Sequence, residues 1–327
     1  MKLWVSANCK MTKRVIVIVC GTALLIAAAV AVVVASRNRQ PGLPPDVPVV
    51  ASPAEVRVKA VERKAEPMDH EEVEASTAVA IVCGADPTTV DRYEARNDAL
   101  RSIARRRDLP EKDVASLGAY LRSKDSAMRV ERVAALKNDV MNLLRSQEPP
   151  PKGLAETLMG IFEGGKHPPV VLDYCIQHLG AMLDELDENG RLRVRAVLVK
   201  AAKRTKQPYA GTALYSLAED RRATPAQETE LKRLTLALCK PEANHAARIA
   251  AIQLAGQRGY AEALPVLRET LLGARRDAVL DIVCIGSVGL LGNADDIPIL
   301  SHFSSDIRRA AAVDAAIQRI KERADAD

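Results

Sequence analysis

From about Thr88 to the C-terminus, apolar positions recur with the 3.6-residue period of amphipathic helices. "TPAQETELKRLTLALCK" shows the pattern. Thr224 is placed to cap a helix, Pro225 takes the first helical position and Gln227 completes a capping box. Leu231, Leu234 and Leu238 then fall on one face. Upstream the pattern changes twice. Val15 to Ala35 is a run of 21 residues without a charge. Between it and Thr88 lies a stretch rich in proline and charge, with Pro41, Pro44, Pro45, Pro48 and Pro53 close together. Such a stretch favours extended, semi-rigid conformations. Within it, "EVRVKAVERK" and "STAVAIVCG" each read as one short strand in a largely disordered linker.

The helical part repeats itself. "AEALPVL" at Ala261–Leu267 returns as "ADDIPIL" at Ala294–Leu300, 33 residues on. Seven helical segments each place a large aliphatic pivot beside small residues: Leu100, Leu136, Ile176, Leu214, Ile252, Ile285 and Val313. The pivots are 28 to 40 residues apart, a drifting period that indicates stacked helix pairs. Ile252 to Ile285 is also 33, so Pro265 and Pro298 fall at equivalent places, early in the first helix of successive units. The backbone N–H has no intrahelical partner there, and proline is tolerated. Gly256–Gly259 and Gly289–Gly292 are expected to form the preceding turns.

On these residues the chain resembles the HEAT-repeat family in its short bacterial form. "HAARIAAIQLAGQRGYAEALPVLRETL" matches one whole unit and "DIRRAAAVDAAIQRI" a second helix, with the resemblance strongest over residues 242–327. It implies an all-α fold, a right-handed α-solenoid of about seven HEAT-like helix pairs. Asp281 departs from the pattern, standing where Arg248 and Arg309 stand in sister units, which argues against a uniform polar ladder. The resulting organisation is a basic tail at 1–14, a transmembrane anchor at 15–35, a linker at 36–87 and a helical repeat domain at 88–327.

A helix of 21 apolar residues spans roughly 30 Å, the thickness of the bilayer core. Lys2, Lys10, Lys13 and Arg14 precede it, which by the positive-inside rule puts the N-terminus in the cytoplasm and the bulk of the chain outside the cell (inner) membrane. The alternative is export with cleavage after Ala35, but secretory apolar cores usually run only about 7–15 residues. The same four cations explain most of the formal charge of +5, since the remainder carries 43 basic and 42 acidic side chains. With aromatics at 3%, nucleic acid is not the expected partner.

No nucleophile-elbow, Walker A or H-E-x-x-H motif occurs, and no cofactor, catalytic residue or metal site is expected. The metal-dependent hydroxylases of the resembled family need paired His-Glu dipeptides, whereas the one here, His70-Glu71, lies in the linker. Cys175, Cys239 and Cys284 read as buried thiols, and His178 as a histidine that packs or caps locally. Seven basic residues and no acid lie between Asn189 and Ala218. Arg193, Lys200 and Arg204 fall in one stripe of that helix, either a solvated face or an anion-recognising strip for an acidic protein or envelope polyanion. The expected function is a membrane-tethered scaffold presenting an extended surface to protein partners. The alternative is an envelope enzyme or lyase-like small-ligand handler on the same fold.

Overall fold

The computed structural model describes residues 75–274 and 277–326. The apolar run at 15–35, the basic tail and the linker up to residue 74, with the strand expected at 55–64, lie outside these residues. Among the described residues there are fourteen α-helices and no strand, consistent with an α-solenoid. They follow as seven successive pairs: α1 (Ala75–Val82) with α2 (Tyr93–Ile103), α3 (Glu111–Arg122) with α4 (Val130–Arg145), α5 (Leu154–Gly164) with α6 (Pro169–Ala181), and α7 (Glu188–Ala202) with α8 (Tyr209–Ala218). The last three are α9 (Pro225–Leu238) with α10 (His245–Gln257), α11 (Leu264–Leu272) with α12 (Ala278–Leu291), and α13 (Ile297–Ser301) with α14 (Ala310–Ala324).

All seven pivots lie on the even-numbered helices, Leu100 at 3% exposure and the other six at 0%. Each even helix packs on the next, from α2 to α14. The odd helices form a second, looser row, and the space between the rows is a continuous apolar core running from Ala75 to Ile320. The proline phrases behave as their register requires. Pro265 and Pro298 occupy the first turns of α11 and α13, each after a short 3-10 turn, at Ala261–Ala263 and Ala294–Asp296. The box at Thr224 and Gln227 is formed, each side chain bonding the other's backbone N–H.

Two expectations are corrected. "STAVAIVCG" is not a strand: Ala75–Val82 is helix α1, with Ala78 and Val82 fully buried against α2 and α3. Helix is therefore present upstream of Thr88, from Ala75 among the described residues. The segment is apolar on nearly every side, and a short apolar run does not distinguish a buried strand from a buried helix by period. The glycines also divide differently. Gly259 turns the chain with φ +69°, but Gly256 and Gly289 lie inside α10 and α12.

Their role is close approach. A Cβ on Gly289 would stand 2.7 Å from the Cα and Cβ of Ala316 on α14, and one on Gly256 2.9 Å from Ser287 Oγ on α12. Gly180 meets Ser216 in the same way, and Gly211 meets Ala247 and Ala250. Small residues on both sides let the even helices touch, while the pivots fill the interior between the rows. Gly286, on the other side of α12, has open space where its Cβ would be. Gly289→Ala should therefore destabilise by about 1–3 kcal/mol through overpacking. Gly286→Ala should stabilise by up to about 1 kcal/mol through helix propensity. Thermal unfolding of both variants checks this, and equal shifts would contradict the α12–α14 packing.

Candidate functional site

The basic segment that stood out in the sequence divides into two sets. Arg191 and Arg195 turn inward on α7 and both bond Oδ2 of Asp220 at 2.9 Å, with side chains 3%, 5% and 0% exposed. Glu188 closes the cluster through two further bonds to Arg191. Asp220 lies in the turn between α8 and α9, so this buried cluster fixes α7 to the start of the next unit. Asp281 does equivalent work further along. It is 1% exposed and accepts Nε and Nη2 of Arg309 at 3.1 and 2.7 Å. The departure from the repeat pattern is thus complementary: acid and base occupy equivalent positions in neighbouring units and pair across them. In the first two units Arg96 bonds Asp125 at 2.7 Å and donates Nε and Nη2 to Val82 O, capping the end of α1.

The stripe itself faces outward. Arg193 pairs with Glu156 at 3.0 Å and Lys200 with Glu163 at 3.1 Å, all four about half exposed. Both acids lie on α5, seven residues apart like their partners. The pairs bridge a groove of about 410 Å³ whose floor is Met159, Gly160, Ala196 and Val197. Arg204 is drawn aside: its guanidinium lies over Phe162, 5.1 Å from the ring centroid, and bonds Tyr209 Oη at 3.2 Å. The structure therefore brings Arg193 and Lys200 together with carboxylates of matching spacing and separates Arg204 from them. Exposed pairs of this kind contribute about 0–1 kcal/mol each and are screened by salt.

An apolar surface stands on α12. Val279, Ile282 and Leu290 are 36–42% exposed, with Gly286 between them. Together they form a stripe on the side of the helix away from pivot Ile285. Sequence reasoning missed it, although the signal was present. "AVLDIVCIGSVGLL" carries a single charge, Asp281, and a helix apolar all round has more apolar face than one core interface covers. That charge is the buried one, so none remains on the exposed side.

The other singled-out residues are internal. Cys175, Cys239 and Cys284 are fully buried free thiols, and burial pushes each up to about 12. His178 is 3% exposed, bonds Asn138 Oδ1 through Nε2 at 3.2 Å and faces Arg145 Nη1 through Nδ1. Burial, aided by the Arg145 charge, brings its imidazole down to about 4, so the ring is neutral near pH 7. Lys137, 1% exposed on α4, caps α3 by donating Nζ to Leu121 O and Ser123 O at 2.8 and 2.6 Å. Asp173 on α6 has a buried Oδ1 with no hydrogen-bond partner among the described residues, and burial holds its carboxyl above the ordinary range. Among the described residues no three His, Cys, Asp or Glu side chains are grouped to hold a metal ion, and no helix is long and apolar enough to cross a membrane. Comparison with known protein families, with curated proteins and with solved structures finds no match.

Proposed function

We propose that this chain is an interaction scaffold: a right-handed HEAT-like solenoid tethered to the cell membrane through residues 15–35, presenting its even-numbered helices to a protein partner outside the cytoplasm. The observation that carries the reading is the stripe of Val279, Ile282 and Leu290, with open space at Gly286. It lies on the row of helices that run side by side along the array. Exposed apolar residues aligned on one helix are a surface suited to a partner's apolar face. The buried ion pairs and glycine contacts support it by fixing each unit against the next, which gives such a surface a defined shape.

The test places a photo-crosslinkable residue at Ile282, at Leu290 or at Arg193 of the full-length chain in intact cells. A discrete crosslinked species from Ile282 and Leu290, absent from Arg193, is expected. Equal or no capture from all three positions would refute the assignment of the face. Active cytoplasmic reporter fused after Asp327 would separately refute the tether's orientation.

A further inference from the structure

Antiparallel pairing gathers all the turns within pairs on one edge of the array and all the turns between pairs on the other. The within-pair turns of four consecutive units are strongly basic. They are residues 123–129, 165–168, 203–208 and 239–244. They carry Lys124, Arg129, Lys166, Lys203, Arg204, Lys206 and Lys240 against two acids, Asp125 and Glu242. Asp125 is buried and committed to Arg96, so it does not neutralise this edge. Lys124, Lys166 and Lys240 are exposed, and their ammonium groups have no hydrogen-bond or ion-pair partner among the described residues. The between-pair turns of the central units, 182–187 and 219–224, have the opposite balance: Asp184, Glu185, Asp187, Glu219 and Asp220 stand against two bases, Arg221 and Arg222.

The basic turns adjoin one another. His167 of the second turn feels the charge of Lys124 in the first, after burial and Lys137. Arg204 of the third lies over Phe162, at the end of the helix leading into the second. Lys206 donates to Glu242 O of the fourth, and Asn244 N to Thr205 O at 2.7 Å. The even helices starting from the first three turns, α4, α6 and α8, have no side-chain cap, and α6 and α8 have no acid in their first turn. Their N-terminal dipoles add positive potential to that of the lysines. A lysine at the end of an odd helix also suits that helix's dipole, but this local effect does not require the even helices beside it to lack acids.

We infer that this edge binds an extended acidic polypeptide segment, deepening the scaffold reading on which it rests by naming a partner class. Packed helices repeat about every 8–10 Å. A polyproline-type strand has three residues per turn at about 3.1 Å each, so every third side chain returns to one side after about 9 Å. An acid at every third position therefore meets one unit after another. A broad anionic surface fits less well, because Glu163 and Glu230 flank the row, paired to Lys200 and Lys203. Single-stranded nucleic acid would want stacking rings, whereas Phe162 and Tyr209, the rings beside the row, are buried.

The test uses the full-length chain in a non-ionic detergent and a fluorescent peptide of Glu-Pro-Pro repeats, read by anisotropy. A second peptide of the same composition has its glutamates clustered at one end. The spaced peptide should bind at least fivefold more tightly than the clustered one and weaken steeply with added salt. Lys124→Glu, Lys166→Glu and Lys240→Glu combined should reduce its affinity at least tenfold while leaving the helical circular dichroism unchanged. Ile282→Asp should leave it unaffected. Absence of binding, or equal affinity for the two peptides, overturns the inference. So does stronger competition by an oligonucleotide or anionic vesicles of equal charge, which would assign the row to those ligands. Peptide binding without crosslinks at Ile282 and Leu290 would sink the apolar face alone, and crosslinks without peptide binding would sink only the basic edge.

Discussion

Ile285→Asp is expected to abolish cooperative folding of the helical array, whereas Ile282→Asp, three residues earlier on α12, should leave it folded. Ile285 is fully buried between α12 and its neighbours, beside Cys284 and close to the α12–α14 contact at Gly289. A carboxylate there must stay charged at a high desolvation cost or take up a proton, and neither removes the polar group from the core. Truncation to alanine alone costs about 2–5 kcal/mol at such sites. Total stabilities of folded domains are about 5–15 kcal/mol, so a buried unpaired acid consumes much of the margin. Ile282 is 36% exposed and its carboxylate would reach water. The two variants share one helix and one substitution, so helix propensity is nearly matched. Denaturant midpoints measure the difference. Similar midpoints would overturn the register that assigns Ile285 to the interior.

Asp220→Ala is expected to cost about 3–5 kcal/mol, because it leaves Arg191 and Arg195 buried without their shared acceptor. Both guanidinium groups reach the same oxygen at 2.9 Å, and Asp220 has no exposed side-chain surface. Of the remaining partners, Glu188 bonds only Arg191 and is itself largely exposed, and Arg195 keeps only the backbone oxygen of Gln227, which carries no full charge. Breaking one member of a buried cluster is costlier than never having formed it, since the surviving charges stay desolvated. Arg193→Ala, two residues from each arginine along α7, removes a half-exposed pair and should change stability by less than about 1 kcal/mol. Chemical denaturation of the two variants compares them directly. A cost for Asp220→Ala no larger than that for Arg193→Ala would show that the cluster does not hold α7 to the following unit.

The fold was legible because its determinants are local. Period, capping residues and the recurrence of a pivot beside small neighbours are written within each unit, and all seven pivots proved buried on the even-numbered helices. Pro265 and Pro298 could be assigned to first turns because a helix start tolerates proline wherever the helix then goes. Helix α1 was not legible. Its eight residues are too few and too uniformly apolar to show a period, and only contact with α2 and α3 determines their state. The pairing of Asp281 with Arg309 was hidden for a related reason: the sequence shows both residues but not that equivalent positions of neighbouring units face each other.

What the sequence by itself determined is the all-helical class, the helix-pair repeat and the interior position of its aliphatic pivots, since these follow from backbone periodicity and side-chain size. Which charges are free was decided only by the tertiary structure. Arg191, Arg193, Arg195 and Lys200 look alike along α7, yet two are buried on Asp220 and two bridge to Glu156 and Glu163. Lys124, Lys166 and Lys240, more than thirty residues apart in succession, belong to one edge. Electrostatic interaction depends on distance through space and on access to water, and stacking the helices sets both.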